Sequence, residues 1–203
     1  ELDYPLIEGK NMIWLDVPSA LNQEVKNGKA SYFRELEVSA IRELLLKLAD
    51  SVSRANADRE EGAAVEIGIT TGYNAQRRKI EIMLDENENE LGAIRRYIQV
   101  GTVDSLQGKE FDIVILSAVR TREYGFWNVI DKTEEWDLPR AGRQRTCVAF
   151  SRAKKCMIVV ASELFRNKEA KVKTPAFAEF YKRCEEKRDG RCCVKRFDKG
   201  GIV

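Results

Sequence analysis

The stretch Val100-Gly-Thr-Val-Asp-Ser-Leu-Gln-Gly-Lys-Glu-Phe-Asp-Ile-Val-Ile-Leu-Ser-Ala-Val-Arg120 contains two apolar segments of strand length on either side of a short polar segment. The polar segment, Asp104-Ser-Leu-Gln-Gly-Lys-Glu110, directly follows the first of these strands. Open α/β sheets bind their ligands at the carboxyl ends of the strands. The stretch therefore predicts a ligand-binding segment at the edge of an α/β sheet.

Apolar runs of strand length alternate with segments of helical period along the rest of the chain. The predicted strands are Asn11–Val17, Val65–Thr70, Tyr97–Val103, Asp112–Val119 and Cys156–Ala161, with a last edge strand at Cys192–Phe197 before a frayed end. The predicted helices are Phe33–Val52, a segment that follows Asn74, about Thr146–Lys154, and Ala176–Lys187. Asp85–Glu90 is predicted to be an acidic turn and Glu123–Arg143 a long ordered loop.

Strands that are apolar throughout, with helices between them, are typical of a mainly parallel sheet covered by helices on both faces. We predict one α/β domain over residues 1–203, with a core at about 11–165 and a C-terminal helix and tail at 166–203.

The composition is that of an ordinary globular protein, with 43% hydrophobic and 33% charged residues. The net charge is only +2, so a basic surface for nucleic acid would have to be local. The chain has no histidine, and its five cysteines form no Cys-x-x-Cys pair, which argues against a zinc site, and we predict no metal ligands. Cys147 and Cys156 lie in apolar segments and are predicted to be small core residues.

Three blocks follow one another in a fixed order: Ile67-Gly-Ile-Thr-Thr-Gly-Tyr-Asn-Ala-Gln-Arg77, Thr102-Val-Asp-Ser-Leu-Gln-Gly-Lys-Glu110 and Cys147-Val-Ala-Phe-Ser-Arg-Ala-Lys154. Together they resemble motifs IV, V and VI of superfamily 1 helicases, and most closely the Upf1-like branch. Upstream, Ser31-Tyr-Phe-Arg-Glu-Leu-Glu-Val38 resembles the Ser-x-x-Asn-x-x-Glu-Ala block of that family, with Arg34 in place of its Asn. The similarity covers most of residues 11–163.

The resemblance implies the second, C-terminal RecA-like domain of a helicase, a fold of the P-loop NTPase type. The family carries its phosphate-binding loop and its magnesium-binding Asp-Glu pair on the first RecA-like domain. This chain has no Gly-x-x-x-x-Gly-Lys-[Ser/Thr] sequence, so it lacks its own Walker A loop. ATP and Mg²⁺ are therefore expected to be bound mainly by an N-terminal RecA-like partner domain.

The resemblance also implies roles at the nucleotide. Arg77 and Arg152, in motifs IV and VI, would both reach the γ-phosphate of ATP, where an arginine supplied from across an interface accelerates phosphoryl transfer. Gln76, Gly108 and Glu110 would contact ATP, with Gly108 allowing a close backbone approach and Glu110 accepting from ribose hydroxyls. Without the resemblance, surface salt bridges are the simpler interpretation of both arginines, and a carboxylate at a helix start is an equal interpretation of Glu110.

The remaining polar residues of motifs IV and V are candidates for single-stranded DNA or RNA. They are Thr71, Tyr73, Thr102, Asp104, Ser105 and Gln107. Hydroxyls and backbone N–H groups of this kind position a sugar-phosphate chain, and a tyrosine can stack on a base. The alternatives are a capping cluster at the end of a strand and a tyrosine that only packs.

We therefore predict the second half of an ATP-dependent helicase or translocase, inactive as an isolated chain. The alternative is a catalytically inactive module that has this fold and binds nucleic acid or protein. A third possibility, an unrelated nucleotide-binding domain, would need a Gly-rich turn after the first strand, which Val17-Pro-Ser-Ala20 does not provide. No apolar run approaches the ~18 residues of a membrane span and no signal peptide is evident, so no membrane association and a cytoplasmic or nuclear location are expected.

Overall fold

The computed structural model describes residues 9–28, 31–57, 59, 63–129, 138–187, 190–198 and 201–203. The strands are β1 Met12–Asp16, β2 Val25–Asn27, β3 Ser31–Phe33, β4 Ile67–Thr71, β5 Ile98–Thr102, β6 Phe111–Ser117, β7 Ala153–Ala161, β8 Cys192–Asp198 and β9 Gly201–Ile202. The α-helices are α1 Glu35–Asn56, α2 Asn74–Glu86, α3 Glu88–Leu91, α4 Leu138–Phe150, α5 Ala170–Lys173 and α6 Pro175–Glu185. Short 3-10 helices lie at Gly92–Tyr97, Gly125–Trp127 and Glu163–Arg166.

The main sheet has seven strands in the order β5-β4-β6-β7-β1-β8-β9. All neighbours in it are parallel except β8 and β9, which form an antiparallel pair. The predicted parallel α/β fold of RecA-like type is confirmed. The predicted C-terminal strand is present as β8, but the end of the chain is paired as β9 instead of frayed. The small antiparallel pair of β2 and β3 was not predicted.

Alternation along the central strands sends successive side chains to two separate hydrophobic cores. Ile113 and Ile115 face the core beneath α1 and α2, whereas Val114 and Leu116 face the core beneath α4 and α6. Both faces of the sheet are therefore covered, which is why a central strand such as β6 is buried along its whole length.

The segment before β7 differs from the prediction. The predicted helix Thr146–Lys154 is instead α4, which begins at Leu138, with a turn at 151–152 and β7 from Ala153. Pro139 suggested a loop, but a proline is tolerated in the first turn of a helix. Strand β7 begins before the predicted Cys156, and the sequence did not show this because the exposed Lys154 and Lys155 do not look like buried strand residues. Residues 130–137 of the predicted loop lie outside the described residues.

Two further predictions are corrected by the structure. The acidic turn predicted at Asp85–Glu90 is helical on both sides of Asn87, in α2 and α3. Cys147 is exposed, although Cys156 is a buried core residue as predicted. Within the described residues, no helix has both the length and the apolar character needed to cross a membrane.

Residues 103–110, which we call the crossover, connect β5 to β6 over the face of β4. This connection is shorter than the dozen or more residues that usually join parallel strands. Two glycines in the strands make room for it. A Cβ built on Gly68 would lie 2.3 Å from the Phe111 ring, and one on Gly101 would lie 2.6 Å from Leu106. The crossover is therefore pressed directly onto the sheet.

We expect Gly68→Ala to destabilise the chain by about 1–3 kcal/mol, because the new methyl group must displace a packed ring. Urea unfolding of the variant measures this loss. The same substitution in a Phe111→Leu background should cost clearly less, since the smaller side chain leaves space. An equal cost in both backgrounds would show that the Phe111 ring is not the cause.

Candidate functional site

The strand registers place the predicted motif residues at two different edges of the sheet. Thr71 at the end of β4 is paired with Thr102 of β5 and with Ser117 of β6, and these residues mark the carboxyl edge. Phe111 at the start of β6 is paired with Ala153 of β7, and these mark the amino edge. At about 3.3 Å per residue, the length of β6 separates the two edges by roughly 20 Å.

The crossover runs from one edge to the other. It begins at the carboxyl edge, where the Val103 N–H donates to the Thr71 carbonyl (3.0 Å) and the Leu106 N–H donates to the Thr102 carbonyl (3.1 Å). It turns at Gly108, whose φ of 85° requires glycine. It ends at the amino edge, where the Phe111 N–H donates to the Arg152 carbonyl (2.9 Å).

Arg152 and Glu110 lie together at the amino edge. Arg152 occupies the turn between α4 and β7, not the helix as predicted. Its guanidinium donates to the carbonyls of Val148 (3.0 Å) and Lys109 (3.4 Å), so the crossover holds it from the side. Glu110 is exposed, and the described residues give its carboxylate no hydrogen bond or ion pair. A half-exposed guanidinium beside an unpartnered carboxylate suits a ligand that carries both phosphates and hydroxyls.

The first half of the crossover presents polar groups at the carboxyl edge. Ser105 and Thr102 form a local turn, in which the Ser105 N–H donates to Thr102 Oγ1 (3.2 Å) and Ser105 Oγ donates to the Thr102 carbonyl (3.0 Å). Asp104 is exposed and lies 3.9 Å from Arg145 of α4. Gln107 and Gly108 are also exposed. Thr102 and Ser105 therefore cap the end of β5 through the hydrogen bonds between them. The exposed groups of this turn are still accessible to a ligand.

The structure places Arg77 and Arg152 near opposite edges of the sheet. Arg77 lies in the first turn of α2, just beyond the carboxyl edge, and forms an ion pair with Glu81. The backbone of Arg152 lies at the amino edge, at the level of Phe111. That both arginines reach the same γ-phosphate stays a prediction.

The side chain of Gln76 is enclosed within the domain. Its side chain is fully buried, its Oε1 accepts from the Arg34 backbone N–H (2.8 Å), and its Nε2 donates to Ser117 Oγ (2.9 Å). Both ends of the amide are used within the domain. Its predicted contact with ATP is replaced by a structural one, which joins the start of α2 to α1 and β6.

Two predicted nucleic-acid contacts are also buried. Thr71 is 0% exposed, and its hydroxyl has no hydrogen-bond partner among the described residues. Tyr73 is 5% exposed, and its hydroxyl accepts from the Phe126 N–H (3.1 Å). The rings of Tyr32 and Phe126 enclose it at 5.6 and 5.9 Å, and burial raises its pKa to about 12. Tyr73 is thus a packing residue and cannot stack on a base in this conformation.

A buried carboxylate, absent from the predicted site, organises the carboxyl edge. Glu37 at the start of α1 is fully buried and accepts from Ser117 Oγ (2.6 Å) and from the Val119 N–H (3.0 and 3.1 Å). It forms an ion pair with the buried Arg34 at 3.2 Å. Burial raises the pKa of the Glu37 carboxyl, whereas Arg34 and the hydrogen bonds act to lower it.

This network holds an unusual backbone conformation. Val119 has a φ of 71°, which is a genuine outlier for a β-branched residue. Arg34 reaches further and donates to the carbonyls of Val17 (2.9 Å) and Pro18 (2.8 Å), just beyond β1. Arg34, which stands where the family has Asn, therefore connects the start of α1 to the end of β1.

We expect Glu37→Ala to destabilise the chain by about 3–5 kcal/mol, because it leaves Arg34 charged, buried and without its carboxylate. Glu35→Ala is the matched control, two residues earlier on the same helix. Glu35 is exposed and pairs with Lys79 at 2.6 Å, so its loss should cost roughly 1 kcal/mol or less. Thermal unfolding compares the two, and similar losses would contradict the assigned role of Glu37.

Two residues near the site were missed from the sequence. Arg145 of α4 pairs with Asp104 and lies over the ring of Phe126, with its guanidinium carbon 4.6 Å from the centroid. Phe126 in turn packs on the motif IV turn, since a Cβ on Gly72 would lie 2.5 Å from its ring. The only sequence signal was the position of Arg145 seven residues before Arg152, on the segment that leads into motif VI.

The fold and the two-edged arrangement define a RecA-like α/β domain whose motifs lie on the edges of a parallel sheet. A family model described as AAA domain matches residues 3–164. The chain belongs to this family, as a domain of Upf1-like superfamily 1 helicases, and the resemblance seen in its motifs is confirmed.

Several known proteins are similar to the chain. "ATP-dependent helicase upf1" of Schizosaccharomyces pombe is 30% identical over 166 residues, which cover 81% of this chain and 15% of that protein. "RNA helicase Mov10l1" of Homo sapiens is 30% identical over 156 residues, 76% of this chain and 11% of that protein. "Helicase required for RNAi-mediated heterochromatin assembly 1" of S. pombe is 37% identical over 93 residues, 46% of this chain and 8% of that protein. The chain thus spans no more than 15% of the length of these relatives.

Proposed function

We propose that this chain is the second RecA-like half of an ATP-dependent helicase or translocase that acts on single-stranded DNA or RNA. The observation that carries the proposal is the path of the crossover. One short segment presents Glu110 beside Arg152 at the amino edge and Asp104 beside Ser105 at the carboxyl edge. A motor needs such a connection, because the binding and hydrolysis of ATP must change the contacts that the same domain makes with the nucleic acid.

The amino edge is assigned to ATP. Arg152 would supply positive charge to the γ-phosphate, and Glu110 would accept hydrogen bonds from the ribose hydroxyls. The turn at Gly108 allows the backbone between them to approach a ligand. ATP is expected to be bound mainly by an N-terminal RecA-like domain of the same protein, as the motif resemblance implies. We expect Mg²⁺ to be bound by that domain too, as the resemblance implies.

The carboxyl edge is assigned to the nucleic acid. Thr102, Ser105, Gln107 and Asp104 surround the exposed turn at the start of the crossover. Their backbone and hydroxyl groups would position a sugar-phosphate chain without reading its sequence. Arg77 lies near this edge, and we propose that it contacts the phosphates of the bound nucleic-acid strand, as an alternative to its predicted contact with ATP. The cytoplasmic or nuclear location stays a prediction that accompanies this function.

In the full-length protein, we expect Arg152→Ala to lower nucleic-acid-stimulated ATP hydrolysis by roughly 10³-fold or more, because it removes a cation from the developing charge. Arg77→Ala should instead weaken nucleic-acid binding and reduce its salt dependence, with ATP affinity retained. Steady-state ATPase assays and fluorescence anisotropy at several salt concentrations measure these effects. The isolated chain should show no ATPase activity.

Arg183→Ala provides the control, since Arg183 is an exposed arginine of α6 that pairs with Glu179 at 2.9 Å. It should behave as the wild-type protein does. If Arg152→Ala hydrolyses ATP as fast as this control, the role of Arg152 is refuted. If the wild-type full-length protein binds nucleic acid but never hydrolyses ATP, the chain is instead part of an inactive binding module.

A further inference from the structure

Arg145 connects the three motif blocks near the carboxyl edge. It contacts motif V directly and motif IV through Phe126, and it lies on the helix that leads into motif VI. Its guanidinium pairs with Asp104 of motif V at 3.9 Å and lies over the Phe126 ring at 4.6 Å. Phe126 is fixed to the motif IV turn, through the contact of its ring with Gly72 and through the hydrogen bond from its N–H to Tyr73. Arg145 itself is on α4, the helix that leads into motif VI.

The α4 segment therefore touches the crossover at both ends. Near the carboxyl edge the contact is the Arg145–Asp104 ion pair. At the amino edge Arg152 donates to the Lys109 carbonyl (3.4 Å), and its own carbonyl accepts from the Phe111 N–H (2.9 Å). Two segments that each span the sheet from edge to edge are thus attached to each other at the nucleic-acid end and at the nucleotide end.

We infer that Arg145 is a positioning residue that couples the nucleic-acid edge to the nucleotide edge. A nucleic-acid strand bound at the turn that holds Asp104 would act on α4 through Arg145, and Arg152 lies in the turn that directly follows α4. This inference rests on the proposed function. It assigns Arg145 no contact with ATP.

The local charges favour this role over a simple contact with phosphate. Asp104 is a carboxylate at an edge assigned to a polyanion, and a nearby phosphate would repel it unless a cation remained beside it. Arg145 supplies that cation, and its side chain is only 35% exposed, since the Phe126 ring covers one face. By contrast, Arg143, two residues earlier on α4, is exposed.

The test measures, in the full-length protein, the ratio of ATP hydrolysis with saturating nucleic acid to hydrolysis without it. The probes are single-stranded oligouridylate and oligothymidylate. Arg145→Ala should lower this ratio by about threefold to tenfold, because an exposed ion pair and a cation–ring contact are each weak. Asp104→Arg and Arg145→Asp should each lower it further, and the double variant Asp104→Arg/Arg145→Asp should restore it toward the wild-type value.

Arg143→Ala is the control for the loss of one positive charge from the same helix, and it should keep the wild-type ratio. The inference is overturned if Arg145→Ala and Arg143→Ala give the same ratio, or if the double variant restores nothing. It is also overturned if Arg145→Ala weakens only oligonucleotide binding, which would make Arg145 a phosphate contact. Failure of the proposed function looks different: the wild-type protein itself would then show no stimulation by either oligonucleotide. Thermal unfolding of each variant confirms that the fold is kept.

Discussion

The architecture of the site depends on the short connection between β5 and β6. These strands flank β4, so residues 103–110 must pass directly over its face. A longer helical connection would stand off the sheet, as most crossovers between parallel strands do. Here Gly68 and Gly101 let Phe111 and Leu106 sink onto the strands instead. The two ends of the crossover are therefore fixed relative to each other by core packing, not by loop hydrogen bonds alone.

A buried carboxylate, that of Glu37, fixes the loops at the carboxyl edge in place. Glu37 accepts hydrogen bonds from Ser117 and Val119 and pairs with Arg34 in a fully enclosed position. Such a pair adds little net stability compared with apolar packing, but removing either member is costly. It holds Val119 in a conformation that this residue type avoids. The edge that we assign to nucleic acid is therefore preorganised at the expense of local backbone strain.

Much of the fold could be predicted from the sequence, because buried parallel strands are continuous apolar runs. The order of the three motif blocks also sufficed to identify the family. The positions of side chains at the site could not be derived in this way. Arg77 follows one predicted strand and Arg152 precedes another, but only the structure shows that Arg152 lies in a turn, where it donates to the carbonyls of Val148 and Lys109. Tyr73 has the same sequence context whether it is exposed or enclosed by Tyr32 and Phe126.

The separation of the edges restricts how the domain can transmit a signal. A β-strand in the middle of a packed sheet cannot shift alone, because interiors are close-packed and its ladder bonds tie it to both neighbours. The elements that can respond to a ligand are those that span the sheet on its surface. On the face that carries α4 and the crossover, both run from edge to edge and touch at both ends. In the coupling that we infer for Arg145, a change at one edge reaches the other when these two segments move together. Their contacts are weak and half-exposed, so they would influence this coupling more than the stability of the fold.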